Sequence, residues 1–202
     1  MTMIELRDIL TTGTAGTPVT ASIGIGELVA IVGASDAETH DFALTLGGAV
    51  SPASGTLHGV PEPSLVAWIP RDNQLARTLT ALENLTVPLI AHGVRPHEAI
   101  ERSQSILRDV GLADQEDRLI EELSGGQQQR VAVARGLAQR AQLIVAEDPT
   151  SALDAANRRR ILALLRDAAS DRVVVITASA AESLEGTADV LIDLDSPRVP
   201  SI

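Results

Sequence analysis

The sequence predicts an α/β fold built on a mainly parallel sheet. Three short apolar runs, typical of buried strands, carry this prediction, and they span residues 27–33, 142–146 and 172–177. Segments with apolar residues at helical spacing separate these runs along the chain. Alternation of buried strands with helices is typical of proteins whose sheet is parallel.

Composition narrows the function classes. The 202 residues suffice for one domain with a subdomain, and an apolar fraction of 45% allows an ordinary core. A net charge of −11 argues against a nucleic-acid partner, and the only aromatic residues, Phe42 and Trp68, offer no platform for stacked bases. The lack of cysteine excludes disulfides and thiolate metal sites. No apolar run approaches ~18 residues, and we recognise no signal peptide, so we expect a cytoplasmic protein that reaches a membrane through a partner.

The first elements are two short strands. Residues 3–9 alternate apolar and polar side chains as an edge strand does, and residues 19–25 form a second strand closed by Gly26. Further along, Thr80 and Glu83 have the spacing of a capping box, which predicts a helix start.

A later helix is predicted over residues 96–110, started by Pro96 and stopped by Gly111. Its apolar stripe consists of Ile100, Ile106, Leu107 and Val110. The other predicted elements are helix 41–46 ended by Gly47 and Gly48, strands 54–59 and 65–69, a helix opened by Ser124, helix 155–169 and strand 189–194.

The most informative stretch opens a helix at Ser124-Gly125-Gly126-Gln127. A serine cap and two glycines expose backbone N–H groups at the positive end of the helix, an arrangement that suits a phosphate. On these residues alone, a capped surface helix is an equally simple interpretation. Residues 123–130 as a whole, Leu-Ser-Gly-Gly-Gln-Gln-Gln-Arg, resemble the signature motif of ATP-binding cassette (ABC) ATPases. Residues 143–154, Leu-Ile-Val-Ala-Glu-Asp-Pro-Thr-Ser-Ala-Leu-Asp, resemble the family's Walker B strand and D-loop.

The resemblance covers nearly the whole chain and is greatest to cassettes of the lipoprotein-releasing and macrolide-export type. It implies a P-loop NTPase-like fold with an antiparallel β subdomain and an inserted helical subdomain. By this resemblance, residues 1–70 and 119–202 form the core and residues 71–118 the helical subdomain. It also implies that residues near 71–95 dock on a permease, although a plain packed helix would explain the same pattern.

The phosphate loop departs from the family pattern Gly-x-x-x-x-Gly-Lys-Ser/Thr. The corresponding residues run from Gly33 through Ser35 to Thr39 and His40, with Asp36 and Glu38 in between, and the chain contains no lysine. Thr39 stands where the resemblance places the lysine, and His40 stands where it places the hydroxyl that holds magnesium. We therefore expect impaired binding of ATP–Mg, with weak binding through backbone contacts as the alternative.

Other catalytic positions also depart from the family. Glu147 and Asp148 keep both Walker B carboxylates in swapped order, and Arg71 falls where a glutamine is expected, with Gln74 as a less favoured substitute. Ala178 replaces the switch histidine. The adenine-stacking aromatic is absent, because the comparable positions hold Ile9, Leu10 and Thr11.

The departures concern features that hold this chain's own nucleotide, whereas the features that serve a neighbour, residues 124–127 and 151–154, are intact. ABC ATPases work as head-to-tail dimers in which a signature motif faces the partner's ATP. The resemblance thus implies a degenerate subunit that contributes Ser124, Gly125, Gly126, Gln127 and Asp154 in trans, with magnesium only at a partner's site, on the inner face of the plasma membrane. The alternatives are a nucleotide-independent homodimeric scaffold and a weakly active ATPase.

Overall fold

The structure, a computed structural model, describes residues 3–11, 18–33, 35–178 and 186–195. The strands are β1 Met3–Leu10, β2 Val19–Gly24, β3 Leu28–Val32, β4 Ser54–His58, β5 Val66–Ile69, β6 Leu143–Glu147, β7 Val173–Ala178 and β8 Val190–Asp193. The helices are α1 Asp36–Leu46, α2 Ala81–Ala91, α3 Pro96–Asp109, α4 Gly125–Ala138 and α5 Ala155–Ala169.

The chain divides into two compact units. Unit 1 comprises residues 1–68, 141–148 and 165–202, and unit 2 comprises residues 69–140 and 149–164. The segment 71–118, predicted as a helical subdomain, lies in unit 2 together with α4 and residues 149–164.

Unit 1 contains the predicted parallel sheet. Its strand order is β5-β6-β7-β3-β8, and the pairs β3–β7, β3–β8 and β6–β7 are parallel. The register pairs Glu147 with Thr177 and Val32 with Ala178, which brings the carboxyl ends of β6, β7 and β3 to one edge. In open parallel sheets this edge is where ligand sites form.

The predicted antiparallel β subdomain is confirmed as a second sheet of order β2-β1-β4, with β1 antiparallel to both neighbours. Its inward side chains join the residues of the parallel sheet in one core. Large members of that core are Ile4, Leu6, Ile23, Ile31, Phe42, Leu46, Val145, Val175 and Ile192.

Unit 2 is helical. The capping box predicted at α2 is present, since Glu83 N–H donates to Thr80 Oγ and Thr80 N–H donates to the Glu83 carboxylate. Helix α3 buries Ala99, Ser103 and Leu107, whereas Ile100 is 40% exposed. The predicted apolar stripe is therefore wrong at Ile100, because small residues one turn apart set the buried face.

Helix α1 begins at Asp36 and not at residue 41 as predicted. Ser35 caps it, with Ser35 Oγ accepting from Glu38 N–H at 3.4 Å. The helix therefore takes in most of the segment that the family pattern assigned to a phosphate loop.

Candidate functional site

The loop after β3 is short because its residues serve the start of α1. Thr39 N–H donates to the Ser35 carbonyl at 3.1 Å, and the Thr39 hydroxyl donates to the Asp36 carbonyl at 3.1 Å. Thr39 itself is only 6% exposed. A Cβ on Gly33 would lie 3.4 Å from side-chain atoms of both Leu194 and Thr39, so the backbone at Gly33 lies close to these neighbours. The N–H groups of Glu38 and Thr39 and the hydroxyls of Ser35 and Thr39 are thus committed within the chain.

Two carboxylates occupy the first turn of α1. Asp36 and Glu38 lie at the helix N-terminus, where unpaired N–H groups and the helix dipole favour negative charge. They complement the same positive end that an external phosphate would use. The start of α1 therefore carries two negative charges of its own.

At the same edge, Glu147 ends β6 with an exposed fraction of only 6%. Its Oε2 lies 2.5 Å from Nδ1 of His40, whose side chain is about half exposed. Its Oε1 has no hydrogen-bond partner among the described residues. The next residue, Asp148, has a left-handed backbone with φ of 45°, and its N–H donates to the carbonyl and hydroxyl of Thr177. The two predicted Walker B carboxylates consequently sit in different environments.

The position of the expected switch histidine ends β7. Ala178 is 8% exposed and pairs with Val32 of β3. It brings no titratable group to this edge of the sheet.

In unit 2, Ser124 and Gln127 form a reciprocal capping box at the start of α4. Gln127 N–H donates to Ser124 Oγ at 3.3 Å, and Ser124 N–H donates to Gln127 Oε1 at 2.8 Å. Ser124 and Gly125 are exposed, and a Cβ on Gly125 would have no neighbour within 4 Å. No carboxylate lies in the first turn of α4. This helix start is open to another molecule and has no acidic side chain of its own.

Gln129 connects α4 to the segment predicted as the D-loop. Its buried amide donates to Ser151 Oγ at 3.1 Å and accepts from Ala152 N–H at 2.9 Å. A Cβ on Gly126 would lie 3.0 Å from the Ala152 carbonyl, so the two backbones approach closely there. The signature segment and the D-loop segment are therefore held together within unit 2.

Asp154 closes the D-loop segment by capping α5. Its carboxylate accepts from Asn157 N–H at 2.8 Å, from Asn157 Nδ2 at 2.9 Å and from Ala156 N–H at 3.0 Å. The bonds from Asn157, then that from Ala156, lower the pKa of Asp154 below its ordinary value.

Three positioning side chains were not identified from the sequence. Besides Gln129, Arg135 of α4 donates to the carbonyls of Asn73 at 2.8 Å and Gln74 at 2.7 Å, and burial lowers its pKa. Asn73 and Gln74 are both left-handed, with φ of 63° and 42°. Asn84, 3% exposed, exchanges hydrogen bonds with the backbone of Ala76. In the sequence, these residues are marked only by being polar at positions that fall on the buried side of a predicted helix.

The predicted site residues thus fall into two groups. Unit 1 holds Gly33, Ser35, Thr39, His40, Glu147 and Asp148, and unit 2 holds Ser124, Gly125, Gly126, Gln127 and Asp154. Unit 1 carries 16 acidic residues and 4 arginines, a formal charge of −12, whereas unit 2 carries 11 acidic residues and 12 arginines, a formal charge of +1. Within the described ranges, no cluster of three or more histidine or acidic side chains could hold a metal ion.

Comparison with known proteins identifies similar sequences. Residues 17–151 match the family model described as ABC transporter. Over 98% of its length the chain is 34% identical to the pyoverdine export ATP-binding/permease protein PvdT of Pseudomonas aeruginosa, of which it covers 33%. Over 71% of its length it is 36% identical to the lipoprotein-releasing system ATP-binding protein LolD of Aquifex aeolicus, of which it covers 70%. The chain therefore spans about a third of the first relative and most of the second.

Among solved structures, a dimeric post-hydrolysis state of the ATP-binding cassette MJ0796, bound to ADP and Pi, matches with a TM-score of 0.84 and 26% identity. The match covers 97% of this chain and 96% of that one, and it confirms the predicted fold. None of the helices in the described ranges is both long enough and apolar enough to cross a bilayer.

Proposed function

This chain belongs to the ABC transporter family of ATP-binding domains, and we propose that within this family it is a degenerate nucleotide-binding subunit. It contributes its signature segment to ATP held by a competent partner, while its own phosphate loop is impaired. The observation that carries the proposal is the contrast between the two helix starts. That of α1 carries Asp36 and Glu38 in its first turn, whereas that of α4 is exposed and has no carboxylate in its first turn.

The residues of unit 1 do not fit ATP–Mg held at this chain's own loop. No lysine exists to reach the phosphates, and the hydroxyls of Ser35 and Thr39 bond to α1 itself. The imidazole of His40 contacts Glu147. This contact occupies the two positions whose side chains, in the family pattern, bind magnesium. The formal charge of −12 on unit 1 further opposes a polyanion. We therefore assign no catalytic step to this loop.

The donor surface, which we define as residues 124–127 and 151–154, supports the contribution in trans. Ser124 and Gly125 are exposed, and Gln129 ties the helix start to the D-loop segment through Ser151 and Ala152. Backbone N–H groups at an exposed helix N-terminus suit the phosphates of a nucleotide held elsewhere. On this proposal ATP and magnesium are bound only at the composite site with a second nucleotide-binding subunit.

The predicted permease contact lies in residues 71–95. Helix α2 in this stretch exposes Val87 by 50% and Ile90 by 40%, and their spacing of three residues places both on one face of the helix. These side chains support docking on an apolar element of a permease. The subunit would then work at the inner face of the plasma membrane, held there by its partner.

The second candidate is a nucleotide-independent scaffold that forms homodimers on a permease. The pairing of His40 with Glu147 favours this candidate, because the pair is present in every copy of the chain and a homodimer would therefore contain two impaired loops. The two candidates differ in one respect: only the first requires the donor surface to act on ATP.

The test is the ATPase activity of the transporter purified with its permease and nucleotide-binding subunits. Ser124→Arg places a bulky cation at the donor surface, and Ser64→Arg, an exposed serine of unit 1, is the matched control. We expect Ser124→Arg to lower activity at least tenfold and Ser64→Arg to leave it unchanged. Activity that is indifferent to Ser124→Arg would contradict the contribution in trans.

A further inference from the structure

Glu147 is a buried carboxylate, and within the described segments a single polar side-chain contact is available to compensate its charge. Its exposed fraction is 6%, Oε2 lies 2.5 Å from His40 Nδ1, and Oε1 has no partner among the residues the structure describes. Moving a carboxylate out of water costs several kcal/mol unless a positive group or strong donors compensate it. The charge of Glu147 therefore depends on whatever contacts Oε2.

The arginines of unit 1 do not fill this role. Those in the described ranges are each paired with another acidic residue, namely Arg7 with Glu5, Arg166 with Asp189 and Arg172 with Asp171. His40 is thus the basic side chain that contacts Glu147 in the described part of the chain.

We infer that His40 is the built-in partner of Glu147 and that it makes unit 1 independent of magnesium. The pair joins α1 to the end of β6 by a side-chain contact, where the family resemblance would place a metal ion between the same two elements. Magnesium prefers oxygen ligands in a near-octahedral set, and an imidazole bonded to Oε2 leaves it only Oε1. The inference shares with the proposed function the premise that this loop does not hold ATP–Mg.

Thermal unfolding with and without magnesium tests the inference on the chain alone. We expect the melting temperature of the natural chain to be the same in MgCl2 as in NaCl of equal ionic strength. His40→Ser removes the partner and should lower the melting temperature by about 5 °C or more. Magnesium should restore part of that loss, because the serine frees both carboxylate oxygens. His58→Ser is the matched control, since His58 is an exposed histidine of the same unit.

A double variant separates the effect of charge from that of packing. In the double variant His40→Ser with Glu147→Gln, no buried charge remains, so magnesium should have no effect on its melting temperature. Loss of the magnesium response in this variant supports the inference, and a response that persists overturns it.

The natural chain alone can also overturn the inference. A rise of its melting temperature in MgCl2 over NaCl would show that magnesium binds despite His40, and an unchanged melting temperature of His40→Ser would show that the pair is dispensable. Should His40→Ser fail to fold, the natural chain still tests the inference, because a rise of its melting temperature in MgCl2 overturns it and no rise supports it. Glu147→Gln then shows whether any response to magnesium depends on this carboxylate. The donor role is measured separately through Ser124→Arg in the transporter, so either idea can fail alone.

Discussion

Replacing the residues that block the phosphate loop should create ATP binding. The variant combines Asp36→Gly, Glu38→Gly, Thr39→Lys and His40→Ser. It removes two carboxylates, supplies the missing cation and releases Glu147 from His40. A carboxylate ~5 Å from a phosphate charge, at an effective dielectric constant of about 20, contributes repulsion of about 3 kcal/mol. A charge-assisted contact from lysine contributes roughly 1.5–3 kcal/mol.

Not all of this energy will be recovered. Asp36 is exposed, so solvent and salt screen its repulsion, and the buried position of Thr39 must open to let a lysine side chain leave. A gain of about 3 kcal/mol remains after generous discounts, which is more than a hundredfold in affinity. The natural chain should show no binding at micromolar ATP–Mg.

Isothermal titration calorimetry with ATP–Mg measures both proteins. The control carries Asp114→Gly, Glu121→Gly and Thr78→Lys, which make the same change in formal charge at exposed positions of unit 2 and leave the loop intact. Equal gains in the variant and the control would mean that total charge and not the loop sets affinity. Micromolar binding by the natural chain would refute the reasoning about this loop.

Three further outcomes are expected. Gln129→Ala should leave the donor segments unlinked, so amide hydrogen exchange at Ala152 should accelerate at least tenfold while exchange in β7 stays unchanged. Arg135→Lys should lose the two-pronged contact to Asn73 and Gln74 and raise protease cleavage near these residues, because a single ammonium cannot replace a planar fork. The pKa of Asp154 is lowered in the folded chain, so its carboxylate stabilises the fold above the unfolded pKa of about 4, and this stabilisation is lost as the pH falls through the folded pKa. Asp154→Ala should therefore flatten the dependence of the melting temperature on pH in that acidic range.

Local signals in the sequence predicted the parts of this structure that depend on neighbouring residues. The capping box at Thr80 follows from residues three positions apart and is present, and so is the serine cap predicted at Ser124. The prediction that α1 begins at residue 41 is wrong, because it follows the family pattern of a phosphate loop and not the local chemistry of a helix start. Ser35 followed by two acidic residues is itself a helix-start signal.

Long-range contacts could not be read from the chain. Gln129 meets Ser151 and Ala152 across 22 and 23 positions, and Arg135 meets Gln74 across 61. His40 and Glu147 are separated by 107 positions, and only the parallel register of the sheet brings their elements to one edge. The partners of Gln129, Arg135 and His40 depend on the topology of the fold, and the spacing of neighbouring residues in the sequence does not specify that topology.

The two serine-capped helices show how one backbone device can be used in opposite ways. Ser35 and Ser124 each cap a helix by accepting from the N–H three residues ahead. After Ser35 come acidic residues, which gain from the helix dipole and repel any other anion; after Ser124 come two glycines and a glutamine, which leave that dipole available. If the loop is impaired as we propose, the acidic residues that would repel phosphate also stabilise α1, so loss of nucleotide binding there need not weaken the fold.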